Sequence, residues 1–184
     1  MKKLVETISI TKKLRLSFLL LALLASVTGF SQVSTFTSNV ATGNWNAPGS
    51  WTEVGSDVDN IPDADDIVII LSGHNISLNG ARSANSVTIN SGGTLTANGG
   101  GLTVGTMSVS GTYDHAINGG AIPLATWAAA SNTIITGVTN TAPTGLNQSF
   151  GNFTWNSAGQ STNIYMQSNI TVQGNFLCWI LVFH

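Results

Sequence analysis

Ser86-Val87-Thr88-Ile89-Asn90-Ser91-Gly92-Gly93-Thr94-Leu95-Thr96 is the stretch whose reading decides the fold. Val87 and Ile89 fall on one face of an extended chain. Ser86, Thr88 and Asn90 fall on the other, the period of two that marks a half-buried strand. Gly92-Gly93 breaks the run, and Thr94-Leu95-Thr96 resumes it. Thr is a good strand former because its branched Cβ suits a pleated surface, so these outward positions favour strands and stay wet. Glycine supplies the backbone freedom that a tight corner needs.

The same device recurs on either side. Ile76-Ser77-Leu78, Leu102-Thr103-Val104, Met107-Ser108-Val109, Ile164-Tyr165-Met166 and Ile170-Thr171-Val172 all alternate. Asn79-Gly80, Gly99 to Gly101 and Gly111 punctuate them. Ile67/Ile69, Val87/Ile89 and Met107/Val109 recur at 20-residue intervals. Short strands with Gly/Asn corners repeated at this step fit an all-β, right-handed parallel β-helix, in which each rung buries its aliphatic side chains and hydrogen-bonds to the next. A β-sandwich or jelly roll is the alternative that also gives short strands every 8–12 residues. The expected organisation is a segment 1–31 that is removed, an N-terminal cap over 32–60, and β-solenoid rungs over 61–176. An irregular insert is expected near 115–130, and an apolar tail over 177–184.

Composition narrows the class. Only 8% of the 184 residues are charged, against about 25% in ordinary soluble domains. From Gln32 onward, Asn, Thr, Ser and Gly make up 72 of 153 residues. That excludes a coiled coil, a helical bundle and a basic nucleic-acid binder. Lys2, Lys3, Lys12, Lys13 and Arg15 precede an apolar run from Leu16 to Val27, and Gly29-Phe30-Ser31 then offers small residues for cleavage before Gln32. This reads as a secretory signal peptide. The apolar run is shorter than the roughly 20 residues of a spanning helix, so no membrane span is expected in the mature chain. After Ser31 a single cation, Arg82, stands against seven acids, for a net charge of −6. Such a surface does not attract phosphate backbones. The lone Cys178 cannot form an internal disulfide.

Gly43-Asn44-Trp45-Asn46-Ala47-Pro48-Gly49-Ser50-Trp51 is followed by Ile61-Pro62-Asp63-Ala64-Asp65-Asp66-Ile67-Val68-Ile69 and then Gly73-His74-Asn75-Ile76-Ser77-Leu78. This series resembles the opening of large secreted surface proteins of Bacteroidetes and is similar to the G8 domain of extracellular proteins. Ser149 to Asn156 and Asn169 to Phe176 resemble the repeats that follow in the same proteins. The resemblance implies a secreted or cell-surface β-helix with an adhesin-type or structural role. It also implies export by the type IX system, whose C-terminal sorting domain is not visible here. The terminal FLCWILVFH interrupts the repeat, as a truncated or frameshifted product would.

Several residues invite chemistry. Asp57, Asp59, Asp63, Asp65 and Asp66 lie within ten residues with no cation beside them. Ca²⁺ takes 6–8 oxygen ligands from loops and would relieve their repulsion. The spacing is not that of an EF-hand, and a solvated turn in which Asp65 or Asp66 accepts backbone amides is the competing reading. Trp45 and Trp51 suit either a sugar-stacking platform or a lid over the first rung, which a solenoid needs to avoid an exposed end. His74 reads as a turn hydrogen-bonder. Tyr113-Asp114-His115 groups polar residues, but neighbours on a strand point to opposite faces. Cys178 reads as a buried apolar side chain. No catalytic set stands out, and the expected function is a non-enzymatic structural or adhesin-type module whose partner is an extracellular glycan or another surface molecule. The alternatives are a carbohydrate-binding module and a fragment of a β-helical polysaccharide-degrading enzyme. A lyase usually needs Lys or Arg near the α-proton of a uronate, and a glycosidase needs two carboxylates about 5–10 Å apart.

Overall fold

The structure, a computed structural model, describes residues 33–165 and 169–179. The chain splits after Ser31, and the described residues belong to the second, compact unit, Gln32–His184. The signal peptide expected over 1–31 lies outside the described residues, as do Met166 and the end of the apolar tail from Ile180.

The second unit is all-β. Its strands are β1 (Thr35–Ser38), β2 (Thr42–Asn44), β3 (Trp51–Val54), β4 (Ile67–Ile70), β5 (Asn75–Ser77), β6 (Arg82–Ile89), β7 (Thr94–Ala97), β8 (Leu102–Val109), β9 (Thr112–His115), β10 (Thr126–Trp127), β11 (Asn132–Ile135), β12 (Ser149–Phe150), β13 (Asn152–Trp155), β14 (Thr171–Val172) and β15 (Phe176–Cys178). From β4 to β11 successive strands alternate between two sheets. One has the order β10-β8-β6-β4-β1-β3, the other β15-β13-β11-β9-β7-β5-β2, and β12 with β14 forms a third pair. Every pairing is parallel except β3 on β1. The result is a β-solenoid of about five turns, not a sandwich of antiparallel hairpins.

The interior is a set of stacked side-chain ladders. One runs Phe36, Val68, Val87, Met107. Another runs Ile76, Leu95, Tyr113, Thr133, Phe153, Phe176. A third runs Ala97, His115, Ile135, Trp155, Cys178. All but Phe176 and Cys178 are buried. Burying one such aliphatic side chain contributes about 1.5–3 kcal/mol, and the parallel ladder satisfies the strand backbone.

The register differs from the sequence expectation in β4. Val68 pairs with Val87 and Ile70 with Ile89, so the first step is 19 residues, and Val87 to Met107 is 20. Val68 and Ile70 face inward, whereas Ile67 and Ile69 are half-buried on the outside. In Ile-Val-Ile-Ile both faces are apolar, so alternation cannot tell one register from its one-residue slip.

β6 and β8 each turn a corner within one strand. Ala84 is inward before Asn85, and Val87 and Ile89 are inward after it. The side-chain parity therefore flips at Asn85. The amides of Asn85 and Ser86 both donate to the Asp66 carbonyl, at 2.9 and 3.2 Å, as a bulge requires. Gly105 stacks on this corner, where a Cβ would come within 2.7 Å of the Asn85 carbonyl oxygen.

The expected strand at Ile164-Tyr165-Met166 does not form at its two described residues, which are irregular. The irregular insert is a wide corner between β9 and β10. Gln148 organises it from the next turn: its Oε1 accepts from Ala125 N and Trp127 Nε1, both at 2.9 Å, and its Nε2 donates to the carbonyls of Pro123 and Gly145. Among the described residues, no helix is long and apolar enough to cross a membrane.

Candidate functional site

Chemistry-bearing side chains gather where the chain leaves and re-enters the first turn, between β3 and β4. Asp66 ends this excursion. Its carboxylate is 1% exposed and accepts two backbone amides, Ser34 N at 2.9 Å through Oδ1 and Asp63 N at 2.8 Å through Oδ2. Asp66 thus staples the turn to the strand before it. Ser34, also buried, accepts from the amides of Ser56 and Asp57 through its Oγ.

These bonds bring three carboxylates together. Oxygens of Asp57, Asp63 and Asp66 lie within 4.8 Å of one another. Ca–O distances of about 2.3–2.6 Å allow one ion to reach all three. One oxygen of Asp57 is buried without a hydrogen-bond partner. A hydrogen bond with the Asp65 side chain, then burial, pushes the Asp63 carboxyl up to about 6. Burial likewise raises Asp66, against the lowering effect of its two amide donors. Of the five acids singled out in the sequence, Asp59 and Asp65 stand outside this trio. Asp59 accepts the Ile61 amide at 2.9 Å, and Asp65 donates its amide to Asp63.

Trp45 and Trp51 lie inside the first turn, 0% and 5% exposed. Their rings meet edge to face at 5.6 Å, and Trp51 meets Phe36 in the same manner at 6.4 Å. Trp45 Nε1 donates to the Pro62 carbonyl and Trp51 Nε1 to the Trp45 carbonyl. Stacking a sugar needs an open ring face, and neither tryptophan offers one. The rings cover the end of the apolar column instead. Trp127 and Trp155 are also buried, their indole N–H groups held by Gln148 and Gln160.

His74 pairs through Nδ1 with Ser38 Oγ at 2.8 Å, and Ser38 Oγ also accepts the Leu71 amide. Tyr113 and His115 point inward and Asp114 outward, where it accepts from Thr136 Oγ1. Asp114 therefore does not orient the imidazole. His115 is fully buried, and its Nε2 hydrogen-bonds the Gly119 carbonyl at 2.6 Å. This fixes the proton on Nε2 and leaves Nδ1 as a buried, unpartnered acceptor. Burial lowers the His115 pKa and raises that of Asp114. The hydroxyls of Tyr113 and Thr133 are buried without partners beside it.

Cys178 is exposed rather than buried, because it faces the end of the column and no described strand covers it. Its neighbourhood was not legible beforehand. Trp155, Gln160, Asn163, Ile164, Tyr165, Cys178 and Trp179 line a cleft of about 340 Å³, with Tyr165 77% and Trp179 65% exposed. Ser34 and Ser38 were also missed. Their signal was the alternation Ser34-Thr35-Phe36-Thr37-Ser38, which sets both serines on the Phe36 face.

The chain matches no protein-family model. No curated protein and no solved structure is significantly similar to it.

Proposed function

We propose that this chain is a non-enzymatic structural module of adhesin type, secreted or held at the cell surface, in which a stiff polar rod is the product of folding. The observation that carries the reading is the wall of the rod. Most outward positions carry hydroxyls or amides: Thr35/Thr37, Ser86/Thr88 and Thr106/Ser108 on one sheet, interrupted by Ile67/Ile69, and Thr42/Asn44, Asn75/Ser77, Thr94/Thr96 and Asn152/Thr154 on the other, interrupted by Asp114 and Ile134. Hydroxyls and amides present many weak, uncharged contacts, while the ladder within keeps the rod rigid. The basic and apolar start of the sequence supports export.

Fractionation of cells expressing the full chain tests this. The expected product is extracellular or surface-exposed and begins at Gln32. An intact chain confined to the cytoplasm would refute the reading. Release of reducing ends from pectin, alginate or xylan would instead make it an enzyme.

The carboxylate trio favours a second element, a Ca²⁺ ion that ties the excursion to the first turn. Calorimetry with Ca²⁺ tests it, and absence of heat at millimolar Ca²⁺ would remove the ion. Binding is expected to weaken as pH falls through about 6, where Asp63 takes up a proton.

A further inference from the structure

The outward face of the sheet β3-β1-β4-β6-β8-β10 carries a regular pattern. Its register sets two columns of side chains next to each other. Thr52, Thr37, Ile69, Thr88, Ser108 and Thr126 form one. Val54, Thr35, Ile67, Ser86 and Thr106 form the other. All of them are half-buried or exposed. Every position is a hydroxyl or a branched aliphatic, and none is charged, aromatic or an amide. Ile67 and Ile69, a break in a polar wall, fit here as one rung of methyl groups. Among the described residues, the hydroxyls of Thr37, Thr88, Ser108 and Thr126 make no hydrogen bond within the protein. Neighbouring strands lie about 4.8 Å apart, and alternate residues of a parallel strand about 6.6 Å apart. Interior side-chain ladders such as those of this solenoid hold a sheet flatter than its usual twist.

We propose that this face is an ice-binding surface, whose partner is the ordered water lattice of an ice crystal. Such a surface gives the adhesin-type rod its partner, and its extracellular setting rests on that reading. Both spacings lie near the repeats of hexagonal ice along its a and c axes. Successive hydroxyls therefore meet successive lattice positions in two directions. The methyl groups between them restrict first-shell water, which favours a lattice over liquid. A charge would instead hold water in a hydration shell of its own. Each contact is weak, but a rigid body makes them together with little ordering cost. Composition opposes other occupants. Protein interfaces are enriched in aromatic residues, Met and Arg and depleted in Ser, and this face carries none of the enriched types. A sugar plane stacks on an open ring, and no ring lies on this face. Phosphates and anionic membranes need cations. The single cation after Ser31, Arg82, lies in the other arm of β6, past the bend at Asn85, with its guanidinium on the carbonyls of Leu78 and Asn79. The outward face of the other sheet mixes in amides and the Asp114 carboxylate, and so serves as an internal control.

Slow growth of an ice mass from a dilute solution of the full secreted chain, mixed with an inert protein of similar size, provides the test. The expected result is enrichment of the chain in the ice and exclusion of the inert protein. Single crystals grown in the chain's presence should be faceted, with a freezing point held below the melting point. Thr88→Tyr, between Ile69 and Ser108 in the first column, should abolish the enrichment, because a ring standing above the face lifts the lattice off its neighbours. Thr106→Tyr, in the second column, should do the same. Thr94→Tyr makes the same change on the outward face of the other sheet and should keep the enrichment. Unchanged circular dichroism and melting temperature confirm that each variant folds. Exclusion of the folded wild-type chain from ice overturns the proposal. So does enrichment that survives both face variants, or that Thr94→Tyr abolishes as well. Retention on crystalline cellulose or chitin that Thr88→Tyr removes overturns it too, by giving the face a sugar lattice instead. The assay uses purified protein, so exclusion from ice strikes this inference alone, and failure of export strikes the structural reading alone.

Discussion

Thr133→Val should stabilise this protein. Thr133 lies in the interior ladder between Tyr113 and Phe153, at 0% exposure, with its hydroxyl unpartnered. A buried hydroxyl without a hydrogen bond costs about 1–3 kcal/mol of desolvation. Valine has nearly the same shape and removes that cost while keeping the branched side chain that a strand favours. At about 2–4 °C per kcal/mol for a chain of this size, the melting temperature should rise by roughly 2–12 °C. Urea titration should move the midpoint upward and leave the slope unchanged, because the surface exposed on unfolding is the same. Tyr113→Phe removes the second unpartnered hydroxyl. If both are unsatisfied, the two gains add in the double variant. Coupling above about 0.5 kcal/mol would show that the hydroxyls serve each other. A Thr133→Val protein that is less stable than wild type would refute the reasoning, since the hydroxyl would then be making a bond worth more than its burial costs.

Other outcomes follow from the same geometry. Gly100→Ala should be strongly destabilising, because the added Cβ would run into the backbone of Gly80 and Ala81; Gly49→Ala, with open space around it, should be nearly neutral, and thermal melts of the pair check both. His115 has a lowered pKa, so unfolding takes up a proton and stability is lost as pH falls through 6.5 toward the folded value. The limit for one such group is about 1.4 kcal/mol per pH unit. His115→Phe should remove this slope in urea titrations from pH 7.5 to 5. Asp63, raised to about 6, acts in the opposite sense over an overlapping range, gaining stability as it protonates, and cancels in the comparison. Asp66→Ala should cost about 1–3 kcal/mol for each amide left unsatisfied in a buried site, measured by the shift in urea midpoint.

The fold was legible because Val87, Ile89 and Leu95 alternate cleanly with Ser and Thr, and because glycine marks the corners between them. The register of β4 was not, since Ile67 to Ile70 is apolar on both faces. The parity flip at Asn85 was hidden for a related reason: Ala84 is small, and alternation read across a bend gives no sign of the bend. At the acidic turn, sequence spacing gathered five aspartates, but only hydrogen bonds from Ser34 and Asp63 decide that Asp57, Asp63 and Asp66 converge. The tryptophans were ambiguous because an indole serves equally as lid or platform. What decided it was a pair of carbonyl partners that no periodicity records. Cys178 was read as a buried apolar side chain; its ladder position is inward, but burial there depends on a neighbour above it.

Each turn touches mainly the turn before and the turn after. A pulling force applied at the C-terminal end should therefore peel β15, then β13, then β11, and not rupture the body at once. Every 20-residue turn released would lengthen the chain by roughly 70 Å, so a stretched molecule would yield in a saw-tooth of near-equal steps. The last peak belongs to the first turn, where the indole rings and the Asp66 staple hold together elements far apart in sequence. A tether built this way lets go by degrees.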